Sequence, residues 1–221
     1  MAVGAGPTMS CSFDLTHYAE ILEAAKAGGY RFTRFEQSPE RGDLFLRHDI
    51  DLSLDAALQM ADLEAEHGVR ATYLLMTESV FYNLASSEGV AAIARLRELG
   101  HAVGLHAVYP NVELDERFDR VVSWHNPKGE YMSESIPGAI NAYAEPYFSP
   151  HTYRSDSNQH WRSGCPHEEL RGGGFPWLQV LVHPAIWVYE GATMGLTMRA
   201  MLNAEKVRRL EQLAADGIEL S

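Results

Sequence analysis

Asp49 and Asp51 follow the apolar run Leu44-Phe45-Leu46, with Arg47 and His48 between. On an extended segment residues two apart point the same way, so the two carboxylates face one volume with Cα atoms roughly 6 to 7 Å apart. Carboxylates sharing a volume repel, and the conflict is relieved by protonating one or by supplying a cation. Where imidazoles are also at hand, a divalent metal is the usual solution. Arg47 shares their face by parity and offers the bland alternative, a structural ion pair with no chemistry attached.

Three histidines extend the pattern. His106 closes the segment that begins after Gly100, where an imidazole can act as a metal ligand beside the aspartates. His125, in Ser123-Trp124-His125-Asn126-Pro127, either completes a metal set or orients a carboxylate, and the proline makes a stiff exit from a strand. His183 ends Leu178-Gln179-Val180-Leu181-Val182 and puts a titratable group at the same rim, which suits an acid catalyst. His101, five residues before His106, falls on the opposite strand face and reads as structural. Tyr109, Trp124, Trp161 and Trp187 are candidate flat faces for a pyranose ring, though many such rings are simply core.

These groups need a scaffold that brings strand ends together. Leu15, Tyr18, Ile21, Leu22 and Ala25 recur at helical spacing until Gly28-Gly29. Strands are expected over Leu44–Leu46, Ala71–Met76, Ala102–Leu105, Val121–Trp124, Thr152–Arg154 and Leu178–Val182. Helices are expected from Ser53 to about Glu66, from a cap at Ser87 to Gly100, and over Thr193–Ala215. Strands alternating with helices imply parallel crossovers, hence an α/β barrel or an open wound sheet with its reactive groups at the C-terminal strand ends. Lys128–Pro150 reads as a long functional loop.

A net charge of -12 over 221 residues argues against bulk attraction to nucleic acid or an anionic membrane. With 46% hydrophobic and 22% charged residues, the chain suits a single catalytic domain over 1–221. The start, MAVGAGPTMSCSFDL, has no basic region followed by an apolar one, and no run is long enough to cross a bilayer, so a cytoplasmic protein is expected. Cys11 and Cys165 show neither metal-finger nor redox spacing and read as reduced thiols. Gly4-Ala5-Gly6, His167-Glu168-Glu169 and Gly172-Gly173-Gly174 are each incomplete as cofactor, protease or phosphate motifs.

From Gly42 to Tyr189 the chain resembles the polysaccharide deacetylase family, the NodB homology or carbohydrate esterase family 4 group. Arg47-His48-Asp49-Ile50-Asp51 is similar to the motif that supplies a general base and then a metal ligand. Gly100-His101-Ala102-Val103-Gly104-Leu105-His106 resembles the motif whose last histidine binds the metal. Arg154-Ser155-Asp156-Ser157-Asn158 with Trp161 resembles the fourth motif, whose aspartate and tryptophan support the site, and the pattern ending at His183 resembles the fifth, which provides the acid. Two departures stand out. The ligand that normally follows four residues after His106 is Pro110 here, and no arginine occupies the third motif, where His125 stands.

The resemblance implies an irregular (β/α) barrel with about seven parallel strands and a hydrolase that removes N-acetyl groups from a sugar or polysaccharide precursor. Asp51, His106 and His125 would hold a divalent metal, zinc as the first expectation and manganese, cobalt, nickel or iron as alternatives. Asp49, left free beside the metal, would take a proton from water, and His183 would protonate the departing amine. Arg47, Asp156, Trp161, Tyr109 and Trp124 would bind substrate or support the site. A small-amide hydrolase on the same fold and a catalytically silent saccharide-binding or assembly protein are the competing readings.

Overall fold

The computed structural model describes residues 11–110 and 112–219; Gly4-Ala5-Gly6 and most of the segment read for a leader lie outside them. In chain order the elements are α1 (Leu15–Ala27), β1 (Arg31–Phe32), β2 (Asp43–Ile50), α2 (Leu54–Glu66), β3 (Thr72–Leu75), α3 (Ser87–Glu98), β4 (Ala102–Ala107) and β5 (Val121–Trp124). They continue with β6 (Ile140–Asn141), β7 (Tyr153–Ser155), α4 (His167–Gly172), β8 (Trp177–Val182), α5 (Pro184–Val188) and α6 (Met194–Ala215). Asp14, Ser53, Ser86 and Thr193 cap their helices by accepting a backbone N–H three residues on, each cap worth about 1 kcal/mol. The cap of α3 is Ser86, one residue before the expected Ser87.

Every strand pair is parallel, and seven strands run in the order β6-β5-β4-β3-β2-β8-β7, with β1 beside the start of β2. The terminal strands β6 and β7 do not pair with each other, so the sheet curls into an open barrel rather than closing. The curl is evident inside, where Phe45 of β2, Leu74 of β3, Val121 of β5 and Tyr147 beyond β6 share one apolar cluster. Gln179 of β8 bridges the open side: its Nε2 donates to the Ala142 and Tyr147 carbonyls at 2.9 and 2.8 Å. This is the α/β barrel of about seven parallel strands that the family resemblance implies, and one of the two architectures that the alternating strands and helices allow.

The period of two along β2 divides its side chains. Phe45, Arg47 and Asp49 face the interior, whereas Leu44, Leu46 and Ile50 join the larger core under the helices, with His48 on their side. On β4, Gly104 shares the interior face with His106, and a Cβ there would meet the Val121 carbonyl at 2.4 Å and Leu74 Cδ2 at 2.5 Å. Only glycine lets β4 approach β5 this closely. The expected loop Lys128–Pro150 contains the two-residue β6, too short to leave a periodic signal, and Asn141 ties it down by donating to the Met132 and Glu134 carbonyls at 2.9 Å.

Candidate metal centre

At the C-terminal ends of β2, β4 and β5, Asp51, His106 and His125 converge. Asp51 Oδ1 lies 3.0 Å from His106 Nε2 and 3.2 Å from His125 Nδ1, and the two ring nitrogens are 3.2 Å apart. Local backbone explains His125: Asn126 takes a left-handed conformation (φ 52°), which asparagine tolerates, and Pro127 then ends the strand direction. Position 110 contributes nothing to the cluster, and the third ligand, the His125 imidazole, comes from the neighbouring strand.

Ser123, on β5, sets the tautomer of His106. Its hydroxyl donates to Asp49 Oδ1 at 3.1 Å, so its oxygen accepts from His106 Nδ1 at 2.6 Å. His106 Nε2 is thereby left with a lone pair aimed at Asp51 and His125. A carboxylate oxygen and a ring lone pair meeting within hydrogen-bond distance require a cation or a proton between them, and a carboxylate with two imidazoles suits a divalent transition metal. The donor set therefore fits such an ion. Burial opposes ionisation of Asp51, but the His106 and His125 imidazoles beside it outweigh it and hold the carboxyl well below its usual range. The bond to Asp51 also raises the pKa of His125.

Asp49 is not free, contrary to expectation. Arg47 grips it with two bonds, Nε to Oδ1 at 2.9 Å and Nη2 to Oδ2 at 2.6 Å, and both side chains are buried. Burial opposes the charge of Asp49, but Arg47 more than compensates and lowers its pKa. Arg47 does not bridge both acids, as the structural ion-pair reading requires. Gln179 Oε1 accepts from its Nη1 at 3.0 Å, and its guanidinium lies 4.3 Å from the centre of the Tyr143 ring. Gln179, Ser123 and Tyr143 were not anticipated as site residues. For Gln179 a signal exists: a lone amide inside an apolar strand must find partners when buried.

The opposite wall carries His183, whose Nδ1 lies 2.5 Å from Asp156 Oδ1 and whose Nε2 is 3.9 Å from Asp51 Oδ2. Asp156 also accepts from the His183 backbone N–H and from the Trp187 indole, at 3.0 and 2.7 Å. Burial disfavours the imidazolium, yet Asp156 and the more distant Asp51 and Asp49 raise the His183 pKa to about 9. Between the walls lies a cavity of about 690 Å³, lined by Asp49, Asp51, His106, His125 and His183, with Trp124 and Trp161 at its sides. Trp187 is buried core, and Tyr109 stands 63% exposed and outside the lining, so neither presents a ring to the cavity. His101 faces the helices, where it accepts from the Ala71 N–H and contacts the Ala61 carbonyl.

Among the described residues, no helix is long and apolar enough to cross a membrane. No protein-family model matches the chain, and neither does any curated protein. Among solved structures, a peptidoglycan deacetylase of Bdellovibrio bacteriovorus is similar at 16% identity and a TM-score of 0.38, over 83% of this chain and 54% of that one. The chain thus spans about half the length of that protein.

Proposed function

We propose that the chain is a metal-dependent hydrolase that removes N-acetyl groups from a saccharide, with Asp51, His106 and His125 as the metal ligands and zinc as the ion. The observation that carries this reading is the convergence of three ligand atoms on one wall of a cavity whose other wall holds the His183–Asp156 pair. The bound cation would supply Lewis acidity toward an amide carbonyl.

The chain's own groups supply the proton transfers. Asp49 accepts three hydrogen bonds, from Arg47 twice and from Ser123. One lone pair remains to take a proton from water, since a carboxylate offers about four acceptor positions. The Arg47 bonds make it a weak base, and they also hold it in one orientation. His183, kept protonated by Asp156, faces the cavity with Nε2 and can give its proton to a departing amine nitrogen. Trp124 and Trp161 would give apolar faces against a sugar ring, and the cavity has the volume expected of a small-ligand site.

The lowered basicity of Asp49 favours one alternative, a silent saccharide-binding protein, and the same experiment separates the two. The chain, loaded with zinc, is incubated with a panel of N-acetylated saccharides and acetate release is followed. Release that is abolished by chelation and by His125→Ala supports the enzyme. Stoichiometric zinc with saccharide binding and no acetate from any substrate would establish the silent form, and acetate release unaffected by chelator would remove the metal from the reaction.

A further inference from the structure

Cys11 and Cys165, expected as unpaired reduced thiols, come together with His17 behind the His183 wall, with their ligand atoms within 4.8 Å of one another. We propose that these three side chains form a second site, for a thiophilic divalent cation with Zn2+ as the best fit, separate from the Asp51 centre and independent of how that centre is read.

Three observations carry the assignment. His17 Nδ1 lies 2.9 Å from Glu20 Oε2, so the carboxylate takes the Nδ1 proton and Nε2 faces Cys165 Sγ at 3.2 Å as an acceptor. A carboxylate that orients an imidazole in this way is the usual outer shell of a zinc-bound histidine. The ring is fixed further by stacking on Trp187 at 6.4 Å and by an edge contact with His167 at 5.5 Å. The indole N–H of Trp161, beside Cys11, is buried with no hydrogen-bond partner. An unspent buried donor next to a sulfur is costly unless that sulfur is anionic.

Two thiolates side by side repel unless a cation lies between them, and soft sulfur with one imidazole selects zinc among the common divalent ions. With Zn–S near 2.3 Å and Zn–N near 2.0 Å, tetrahedral ligand atoms lie about 3.5 to 3.8 Å apart, within the 4.8 Å span seen here. Three protein ligands leave a fourth position for water. The ion would pin the segment at Cys11, the first turn of α1 and the loop that follows Asp156 and Trp161. It would therefore brace from behind the wall that holds His183.

The test uses the full chain, reduced, stripped with chelator and titrated with Co2+. Wild type and the Asp51→Asn/His106→Gln double variant are expected to show a near-ultraviolet thiolate-to-cobalt charge-transfer band, and Cys165→Ser is expected to lose it. Zn2+ is expected to displace the cobalt and to protect both wild-type thiols from alkylation. A band that disappears in the double variant while Cys165→Ser retains it would overturn the assignment. So would alkylation rates in wild type that are the same with and without Zn2+, or a Cys11–Cys165 disulfide in freshly purified protein. Because the double variant disables only the Asp51 centre, failure there and failure here are read separately.

Discussion

Strand β2 carries buried charge on both faces, and the two clusters differ in what surrounds them. On the interior face, Arg47 and Asp49 lead to Asp51, 24% exposed at the floor of a cavity. On the helix face, His48 Nε2 meets Glu64 Oε1 at 2.6 Å, Tyr73 donates to Oε2 at 2.8 Å, and Tyr18 donates to Oε1. His101 lies 3.6 Å from the same carboxylate, and the side chains of His48, His101 and Glu64 have no exposure at all. Both clusters combine a carboxylate with imidazoles, so composition does not distinguish them. Access does: the Glu64 carboxylate spends its acceptors on phenols and imidazoles of the core, whereas the Asp51 group ends in a space that a substrate can enter.

The comparison predicts activity losses on one face and stability losses on the other. The largest effect is expected for His183→Gln, which removes the proposed acid: acetate release should fall by about a hundred- to ten-thousandfold, with a much smaller loss in urea unfolding because buried Asp156 loses its charged partner. A variant that keeps wild-type turnover would remove His183 from the chemistry. Next in size, Glu64→Ala leaves His48 and two phenols without their acceptor, and breaking such a buried pair costs about 3 to 5 kcal/mol. Metal binding at Asp51 should survive at temperatures where the variant stays folded. Asp49→Asn should show both kinds of loss, because it strands Arg47 as a buried unpaired cation. If it unfolds like wild type, the two faces are less alike than the geometry implies.

Acid should expose the same division. Burial opposes the Glu64 charge, but His48 and the other donors depress its pKa below the ordinary 4.5. A depressed folded pKa contributes stability that is present above about pH 4.5 and is lost as pH falls through the lower folded value. Wild type should therefore lose stability steeply in that range, and Glu64→Ala, already weakened, should show a shallower slope by chemical denaturation across pH. The smallest effect is expected for Tyr73→Phe, which removes one of the bonds to Glu64 and should cost about 1 kcal/mol with turnover unchanged.

Much of the scaffold was legible in the sequence because it rests on local patterns. The helical spacing from Leu15 to Ala25, the helix start at Ser53, and the apolar strand runs each report a short-range rule. The alternation along β2 likewise places Asp49 and Asp51 on one side, and that along β4 places His101 on the face away from His106. β6 was missed because two residues carry no period, and Gln179 because a single polar residue in an apolar run names no partner.

Partnership itself belongs to tertiary structure. Spacing along the chain puts Arg47, Asp49 and Asp51 on one face but does not say that Arg47 takes Asp49 and leaves Asp51 to the histidines; that depends on Gln179, Ser123 and His125, brought close by the curl of the sheet. Cys11 and Cys165 are remote in sequence and adjacent in space because α1 packs against α4. Side-chain direction is set by neighbours within a few residues, whereas the contacts that decide between a structural charge and a reactive one form only when distant strands share a core.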